Sequence, residues 1–221
     1  MSIEGSDNTG HRKEMAQFLP RHSATVLEIG CARGEFRTHV SLPNEYWGVE
    51  PDRARAAVAE DCLDKVLTGT YQEVEHQIPN AYFDLIVCND VIEHLPDHDA
   101  FLQSIQKKMT ADGCLIASIP NVRFIVNLFE VLVKKDWQYR SEGTLDRTHL
   151  RYFTKKSLIR TIGSNGYTIE KMMGINLWKP QIFLKQVVWL LVIAVCGEDT
   201  RFMQYGIRIR RKHSTTARAE E

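Results

Sequence analysis

Short apolar runs alternate with longer helix-like stretches over the first 120 residues, and this alternation restricts the fold more than any other feature. Five runs rich in branched and aromatic side chains predict β-strands. They lie at 25–29, 46–49, 65–67, 83–88 and 114–119. Parallel strands need a crossover connection, which a helix commonly supplies. The pattern predicts an α/β fold with a doubly wound, mostly parallel sheet and helices on both faces.

The segments between and after these runs complete the predicted order of elements. Helical patterns lie at 34–41, 51–61, 97–109, 124–135, 154–164 and 181–196. Asp112 and Gly113 predict a turn, and residues 136–151 a loop without periodicity. Two further strands are predicted at 167–172 and 202–209.

Charge and cysteine content exclude several classes of protein. The chain has 28 Lys plus Arg and 28 Asp plus Glu, so it lacks the basic surplus typical of proteins held to nucleic acid by phosphate contacts. Five cysteines, an odd number without C-x-x-C spacing, favour reduced thiols in a cytoplasmic protein. Residues 1–10 lack the apolar core of a signal peptide, which agrees with that location.

The longest apolar run, 187–196, is too short to cross a bilayer. A spanning helix needs about 20 apolar residues. Two interpretations stay open for this run. One is a buried helix, and the other is peripheral contact with a membrane surface, to which Trp178 and residues 182–184 would contribute.

A turn with two glycines follows the first predicted strand. Gly30 and Gly34 are spaced G-x-x-x-G, unlike the G-x-G-x-x-G of pyrophosphate-binding turns. Glu28 precedes the turn, where a carboxylate would repel a pyrophosphate but could pair with an ammonium group. Glu50 ends the second strand, where an acid accepts hydrogen bonds from ribose hydroxyls. A plain tight turn would explain the glycines alone, whereas the turn and the acid together indicate a ligand site.

These segments resemble the ordered motifs of class I S-adenosylmethionine-dependent methyltransferases. The motifs are VLEIGCARGEF at 26–36, WGVEPD at 47–52 and FDLIVCNDVIEHL at 83–95. The resemblance covers about residues 25–121 and implies a seven-stranded, Rossmann-like methyltransferase sheet. It also implies a set of cofactor-binding residues at the strand ends. These are Glu28, Gly30, Cys31, Ala32, Gly34, Glu50, Pro51, Thr70, Tyr71 and Asn89.

Individual roles follow from the same resemblance. Gly30 and Gly34 would frame the methionine part of the cofactor, and Glu50 would hold the ribose. Residues around Thr70 and Tyr71 would flank the adenine, although the acidic residue usual there is missing. Ala32 stands where many members have Gly, and we expect this small side chain to be tolerated.

The chain is expected to form a single domain over 1–211. The cofactor half would occupy 20–121, and insertions that bind the acceptor or form a lid would occupy 122–153 and 174–200. A disordered tail is expected at 212–221.

An acidic turn with a histidine follows the fourth predicted strand. Asp90, Glu93 and His94 are spaced i, i+3 and i+4, so a helical turn would place them on one face. The turn resembles the metal site of small-RNA 3′-terminal 2′-O-methyltransferases, which adds a later His, and a related turn in ubiquinone-biosynthesis O-methyltransferases. Asp90, Glu93, His94 and His149 are therefore candidate ligands of Mg²⁺, Mn²⁺ or another divalent metal. The alternative is a packing role, as in metal-free members.

The segment GTLDRTHLRYFT at 143–154 resembles methyltransferases encoded with polysaccharide and glycan assembly enzymes. We predict that His149 is the general base or a metal ligand, and that Asp146 and Arg151 position the substrate. Asp90 completes the predicted catalytic group. A surface loop in which arginines pair with acids is the alternative.

The leading functional hypothesis is O-methylation of a sugar or polyol hydroxyl, with a lipid-linked glycan as one option. Three alternatives stay open: metal-dependent 2′-O-methylation of an RNA 3′ end, O-methylation of a small aromatic or quinone precursor, and a cofactor-binding partner subunit without catalysis. A nicotinamide oxidoreductase is disfavoured by the glycine spacing. No sequence pattern indicates the oligomeric state.

Overall fold

The computed structural model describes residues 12–41, 43–180 and 183–212, and within them seven strands form one sheet. The strands are β1 (Thr25–Ile29), β2 (Glu45–Glu50), β3 (Lys65–Thr68), β4 (Phe83–Asn89), β5 (Met109–Pro120), β6 (Tyr167–Leu177) and β7 (Phe202–Arg211). Their order is β3-β2-β1-β4-β5-β7-β6. Only β7 runs antiparallel to its neighbours, because the other pairs are parallel. The predicted doubly wound, mostly parallel seven-stranded fold is confirmed.

Six α-helices lie in the described ranges. They are α1 (Arg53–Ala59), α2 (Tyr71–Val74), α3 (His98–Lys108), α4 (Ile125–Phe129), α5 (Lys155–Ser164) and α6 (Phe183–Cys196). A π-helical turn, Glu130–Lys134, continues α4. Short 3-10 turns lie at Lys13–Phe18, Glu35–His39, Glu75–Gln77, Ile92–His94 and Glu198–Arg201.

Alternate residues of each strand point to opposite faces of the sheet, so two hydrophobic cores form. Leu27 and Ile86 belong to the core on one face, which α3 and α5 cover. Val26 and Leu85 belong to the core on the other face, which α1 and the 3-10 turns on either side of β1 cover. The prediction of helices on both faces is confirmed.

Two predicted local structures are wrong. The predicted helix at 34–41 is only a 3-10 turn, because Gly34 starts it with a φ of 78° and Val40 is already extended. Asp112 and Gly113 lie within β5 and form no turn between elements. The pairing of β4 with β5 shifts register between Phe83 and Leu85, which takes up the extra residues.

A third apolar cluster joins α4 to α6. Phe124 and Ile125 are buried there with Trp189 and Ile193.

Residues 174–177, predicted to begin an insertion, continue β6 instead. The described part of the last predicted helix begins at residue 183, and residues 181, 182 and 213–221 lie outside the described ranges. Among the described helices, none has the length and apolarity needed to span a membrane.

Candidate active site

A cavity of about 590 Å³ opens at the carboxyl ends of β1, β2 and β4. The strand order reverses between β1 and β4, and ligands of open α/β sheets bind at such a switch point. Nine of the ten predicted cofactor-binding residues line the cavity. They are Glu28, Gly30, Cys31, Ala32, Glu50, Pro51, Thr70, Tyr71 and Asn89.

Gly34, the tenth residue, does not line this cavity. It borders a separate surface depression with Arg33, Arg37 and Cys62. A Cβ atom at Gly34 would lie 2.6 Å from Cys62 Sγ, and the residue has a φ of 78°. Gly34 therefore serves the packing of the turn after β1 against the end of α1, and it lies outside the cavity that the other nine residues line.

Two backbone amides hold the Glu50 carboxylate at the end of β2. Ala32 N–H donates to Glu50 Oε2 over 2.9 Å, and Asp52 N–H donates to Oε1 over the same distance. Glu50 is buried and lines the cavity. The carboxylate is thus fixed in place and keeps unused lone pairs that can accept hydrogen bonds from a ligand hydroxyl.

The Ala32 amide reaches Glu50 because the chain turns sharply after β1. Gly30 and Ala32 have φ values of 72° and 48°. A Cβ atom at Gly30 would lie 3.0 Å from Val91 Cγ2, which brings the β4 loop close to the turn. Glycine suits the first position for both reasons. At the second position Ala32 adopts a left-handed conformation that costs about 1–2 kcal/mol.

Glu28 lies in the cavity floor with its carboxyl group buried. Tyr46 Oη donates a hydrogen bond to Glu28 Oε2 over 2.8 Å. Burial raises the pKa of Glu28 to about 8, against the lowering effect of the Tyr46 bond and with a further increase from the Glu50 charge. In the ligand-free protein this carboxyl group is therefore largely protonated at neutral pH. A nearby cationic ligand group would favour its ionised form.

The remaining predicted cofactor-binding residues differ in whether their side chains already have hydrogen-bond partners. Thr70 caps α2 through reciprocal hydrogen bonds with Glu73, and Tyr71 Oη shares a hydrogen bond with Ser104 over 2.7 Å. Asn89, by contrast, has an amide nitrogen and an amide oxygen that are buried and have no partner among the described residues. An unpaired buried amide in a cavity wall is available to a ligand.

Arg12 lies in the cavity wall, and the sequence reasoning missed it. Its Nη2 atom lies 2.5 Å from Asp90 Oδ2. Ser118 Oγ and Gln204 Nε2 donate to Asp90 Oδ1 over 2.8 and 2.7 Å. Arg12 precedes β1 outside every recognised motif, so no local signal in the sequence marks it as part of the site.

Asp90 does not share a helical face with Glu93 and His94, which corrects the expectation from their spacing. Asp90 has a φ of 53° and lies before the 3-10 turn Ile92–His94. Its carboxylate binds Arg12, Ser118 on β5 and Gln204 on β7. The structure therefore brings Asp90 to the cavity and leaves it out of the predicted group of metal ligands.

Glu93, His94 and His149 form a compact cluster, and their nearest ligand atoms all lie within 4.8 Å of one another. Glu93 is fully buried, and neither of its carboxylate oxygens has a hydrogen-bond partner among the described residues. His149 Nε2 lies 4.0 Å from Glu93 Oε1. The two imidazole rings meet edge to face with centroids 4.8 Å apart. His94 also lines the cofactor cavity, so the cluster borders it.

Burial controls the protonation of this cluster. It raises the pKa of Glu93 well above its ordinary value, and the nearby Asp90 charge raises it further. Burial, followed by the proximity of His94, lowers the pKa of His149. The His149 Nδ1 atom lies 3.3 Å from the Thr144 carbonyl oxygen, which orients the ring so that Nε2 faces Glu93. A carboxyl group and two imidazoles at this distance suit a divalent cation.

Asp146 and Arg151 shape the loop that carries His149. Asp146 Oδ1 accepts hydrogen bonds from the Thr148 amide and hydroxyl over 2.7 and 2.6 Å. Partial burial raises the pKa of Asp146, but the Thr148 bonds lower it by more, so the net direction is down. The Arg151 guanidinium binds the Pro96 carbonyl oxygen.

The same loop is anchored directly to the 3-10 turn that carries Glu93. The Leu150 and Arg151 amides donate to the Glu93 carbonyl oxygen over 2.8 and 3.0 Å. His94 Nδ1 lies 3.2 Å from the Thr148 carbonyl oxygen. These contacts explain how His149, 56 positions after Glu93, reaches the same site.

Comparison with known proteins agrees with this geometry. A family model described as a methyltransferase domain matches residues 9–172. The ubiquinone biosynthesis O-methyltransferase of Bradyrhizobium diazoefficiens is 31% identical over 100 residues, which cover 43% of this chain and 40% of the relative. The protein of that name from Vibrio atlanticus is 27% identical over 146 residues, covering 62% of this chain and 60% of the relative. The matched region thus spans less than two thirds of these relatives.

A solved structure shows the same fold. The S-adenosylmethionine-dependent methyltransferase from Archaeoglobus fulgidus superposes with a TM-score of 0.63 at 18% identity, over 90% of each chain. The family model covers most of this chain, including β1 to β5 and the cavity between them. The chain therefore belongs to the methyltransferase domain family and has the fold of the class I S-adenosylmethionine-dependent methyltransferases.

Proposed function

We propose that the protein is an S-adenosylmethionine-dependent O-methyltransferase whose acceptor presents adjacent hydroxyl groups to the Glu93–His94–His149 cluster. The observation that carries this proposal is the buried Glu93 carboxyl group, which has two unpartnered oxygens next to two imidazoles. A buried polar group without partners is costly, so a ligand is expected to satisfy it. The cluster borders the cavity through His94, which brings the acceptor close to the cofactor.

The three side chains fit a divalent metal ion. Two imidazoles and one carboxylate are a donor set that suits Mn²⁺ or Zn²⁺ better than Mg²⁺, which prefers oxygen ligands. Glu93, His94 and His149 would hold the ion, and Asp90 would not. The ion would supply a Lewis acid that lowers the pKa of an acceptor hydroxyl.

The remaining residues would bind and orient the two ligands. S-adenosylmethionine, when bound, supplies an electrophilic methyl group on its sulfonium. Glu50 would hold the ribose, Asn89 would offer its free amide, and Glu28 would face the cationic part of the cofactor. Asp146 and Arg151 act as positioning residues, since their contacts hold the loop around His149. In-line alignment of the hydroxyl and methyl group would supply much of the rate.

An aromatic acceptor of the quinone-precursor type has the better support. Trp137 meets Tyr152 edge to face with ring centroids 5.5 Å apart, and the Tyr152 centroid lies 6.5 Å from that of His149. Aromatic side chains beside His149 suit contact with a flat ring. The curated relatives named above act in ubiquinone biosynthesis, which favours the same class. The sugar or polyol acceptor shares the adjacent hydroxyls and is the second candidate to be tested.

Methyl transfer to a panel of acceptors tests the proposal. Dihydroxybenzoates, their monohydroxy analogues, sugars and an RNA oligonucleotide would be incubated with S-adenosylmethionine and analysed by mass spectrometry. We expect methylation only of compounds with adjacent hydroxyls, most rapidly the aromatic ones. Methylation of none of them, in protein that binds S-adenosylhomocysteine, would refute the acceptor class and favour a cofactor-binding partner subunit.

Metal binding can be measured directly, separately from methyl transfer. Calorimetry with Mn²⁺ and the apo protein should show one site, and Glu93→Gln and His149→Ala should weaken it by at least tenfold. Glu60→Gln is the matched control, because Glu60 is exposed at the end of α1, outside the cluster, and its replacement should leave Mn²⁺ affinity unchanged. Equal Mn²⁺ affinity in all four proteins would mean that the cluster is a packing motif.

A further inference from the structure

Two neighbouring segments expose large apolar side chains to solvent. After α4, Leu132 and Val133 are 67% and 62% exposed. On α6, Leu190, Leu191 and Val195 are 59%, 64% and 87% exposed. Isolated exposed apolar residues are common on any protein, but several on adjoining helices indicate a surface that is covered in use.

The two segments belong to one structural unit. The opposite faces of α4 and α6 pack together through Phe124, Ile125, Trp189 and Ile193. Because these four residues bury one face of each helix, the exposed side chains after α4 and on α6 point to solvent from a single packed unit. We define the docking surface as residues 129–135 together with the exposed face of α6, formed by Leu190, Leu191 and Val195.

The charge near the docking surface is positive, although the whole chain is neutral. Lys134, Lys135 and Lys179 are exposed in or beside the docking surface, together with one exposed acid, Asp136. The neighbouring acids Asp199 and Glu198 are paired with Arg123 and Arg201. Glu130 is buried, and its Oε1 atom binds Lys134 and Arg140 at 2.9 and 3.2 Å. The acid therefore contributes little negative potential at the surface. Apolar side chains flanked by lysines match the lipid tails and headgroups of an anionic membrane.

Aromatic residues extend the same pattern. Trp137 and Tyr139 follow Lys135 and are 37% and 52% exposed. Such side chains are favoured at the boundary between lipid headgroups and hydrocarbon. An interface with a second protein copy would not require the lysines, so the combination favours lipid.

We propose that the docking surface binds the face of an anionic lipid bilayer. α6 then lies on the membrane without crossing it, since no described helix meets the requirements for a span. The surface is connected to the candidate site through α4. Thr144 Oγ1 donates to Asn127 Oδ1 over 2.8 Å, and the Thr144 carbonyl oxygen contacts His149 Nδ1. The protein would thus take up acceptors that carry an apolar tail directly from the bilayer.

Vesicle sedimentation tests the proposal without any methyl transfer, so its result is independent of the proposed function. The full chain would be mixed with vesicles of phosphatidylcholine alone or with an equal part of phosphatidylglycerol. We expect binding to the anionic vesicles that weakens at high salt. Leu132→Asp, Leu191→Asp and Val195→Asp should each reduce it at least fivefold, and Lys135→Gln about twofold.

Val58→Asp is the matched control. Val58 is 46% exposed on α1, away from the docking surface, so the variant should bind vesicles like the original protein. Circular dichroism and S-adenosylhomocysteine binding would verify that each variant is folded. Absence of vesicle binding by the original protein, or equal binding by the Val58 and Val195 variants, would overturn the proposal. A dimer that is lost in Leu191→Asp, without vesicle binding, would assign the surface to a second copy.

Discussion

Tyr46 and Glu28 are joined by a buried hydrogen bond of 2.8 Å between adjacent strands, directly under the cofactor cavity. The pKa of Glu28 is raised to about 8, from an ordinary 4.5. Between these values the folded protein keeps a proton that the unfolded chain releases. The free energy of unfolding should therefore fall as pH rises from about 4.5 to 8, by up to about 1.4 kcal/mol per pH unit.

Urea unfolding at pH 5, 6, 7 and 8 measures this dependence. Glu28→Gln removes the titrating group and keeps the size of the side chain, so the difference between the two proteins isolates Glu28 from other buried acids. We expect that difference to change steadily with pH. A constant difference across the range would show that Glu28 is ionised in the folded protein.

Binding of S-adenosylmethionine should release a proton at pH 7. The cationic cofactor favours the ionised form of Glu28, whose neighbours are Glu50 and the Cys31 thiol in the cavity and Tyr46 beneath it. Calorimetry in two buffers of different ionisation enthalpy counts the protons released. The Glu28→Gln variant should release fewer, and identical counts in both proteins would assign the proton to another group.

Glu50→Ala should weaken S-adenosylhomocysteine binding by roughly 10- to 100-fold, because hydrogen bonds to a charged group contribute about 1.5–3 kcal/mol. The variant also frees the Ala32 and Asp52 amides that now bind the carboxylate. Asp52→Ala is the control, since Asp52 caps α1 and does not line the cavity. It should cost about 1 kcal/mol of stability and leave the affinity intact.

Ala32→Gly should stabilise the protein by about 1 kcal/mol. Ala32 has a φ of 48°, where alanine is penalised by about 1–2 kcal/mol, and the added freedom of glycine in the unfolded chain offsets about 0.4–1 kcal/mol of that. Thermal and urea unfolding would measure the change. Ala24→Gly, at an exposed position just before β1, controls for the unfolded-state effect. A destabilised Ala32→Gly protein would show that this turn is unstrained.

The contact between Asn127 and Thr144 should hold His149 in place. Asn127→Ala leaves the buried Thr144 hydroxyl without its partner, which should cost about 1–3 kcal/mol. Thr144→Val in the same chain removes the unpaired hydroxyl and should restore part of that loss. A double-mutant cycle by urea unfolding measures the coupling, and additive effects would mean that the contact contributes nothing.

The sheet could be read from the sequence because its signals are local. The runs at β1, β4 and β5 are short, apolar and β-branched, and Glu28 and Glu50 stand at fixed places relative to them. The cavity lining follows from that pattern, since parallel strands bring their carboxyl ends to one edge. Helix α5 is likewise predicted from the local pattern at 154–164, and Thr154 caps it in the structure.

The features that could not be predicted from the sequence depend on contacts between residues far apart along the chain. Asp90 was expected to face Glu93, but its left-handed backbone turns it towards Ser118, Gln204 and Arg12, residues that no local pattern connects with it. Gly34 matched a motif position, yet its environment is set by Cys62, 28 residues later. Sequence spacing predicts which side chains share a face within a regular helix or strand. It does not predict where a side chain points once the backbone departs from that helix or strand.

Strand β7 pairs with β5 on one side and with β6 on the other, although both are synthesised before it. Until β7 leaves the ribosome, the nascent sheet therefore has two open edges where the finished sheet is continuous. The same strand carries Gln204, which binds Asp90 in the cavity wall. Completion of the ligand pocket is thus tied to the synthesis of β7, and a nascent fragment that stops before this strand would offer chaperones and proteases its exposed strand edges instead of a finished pocket.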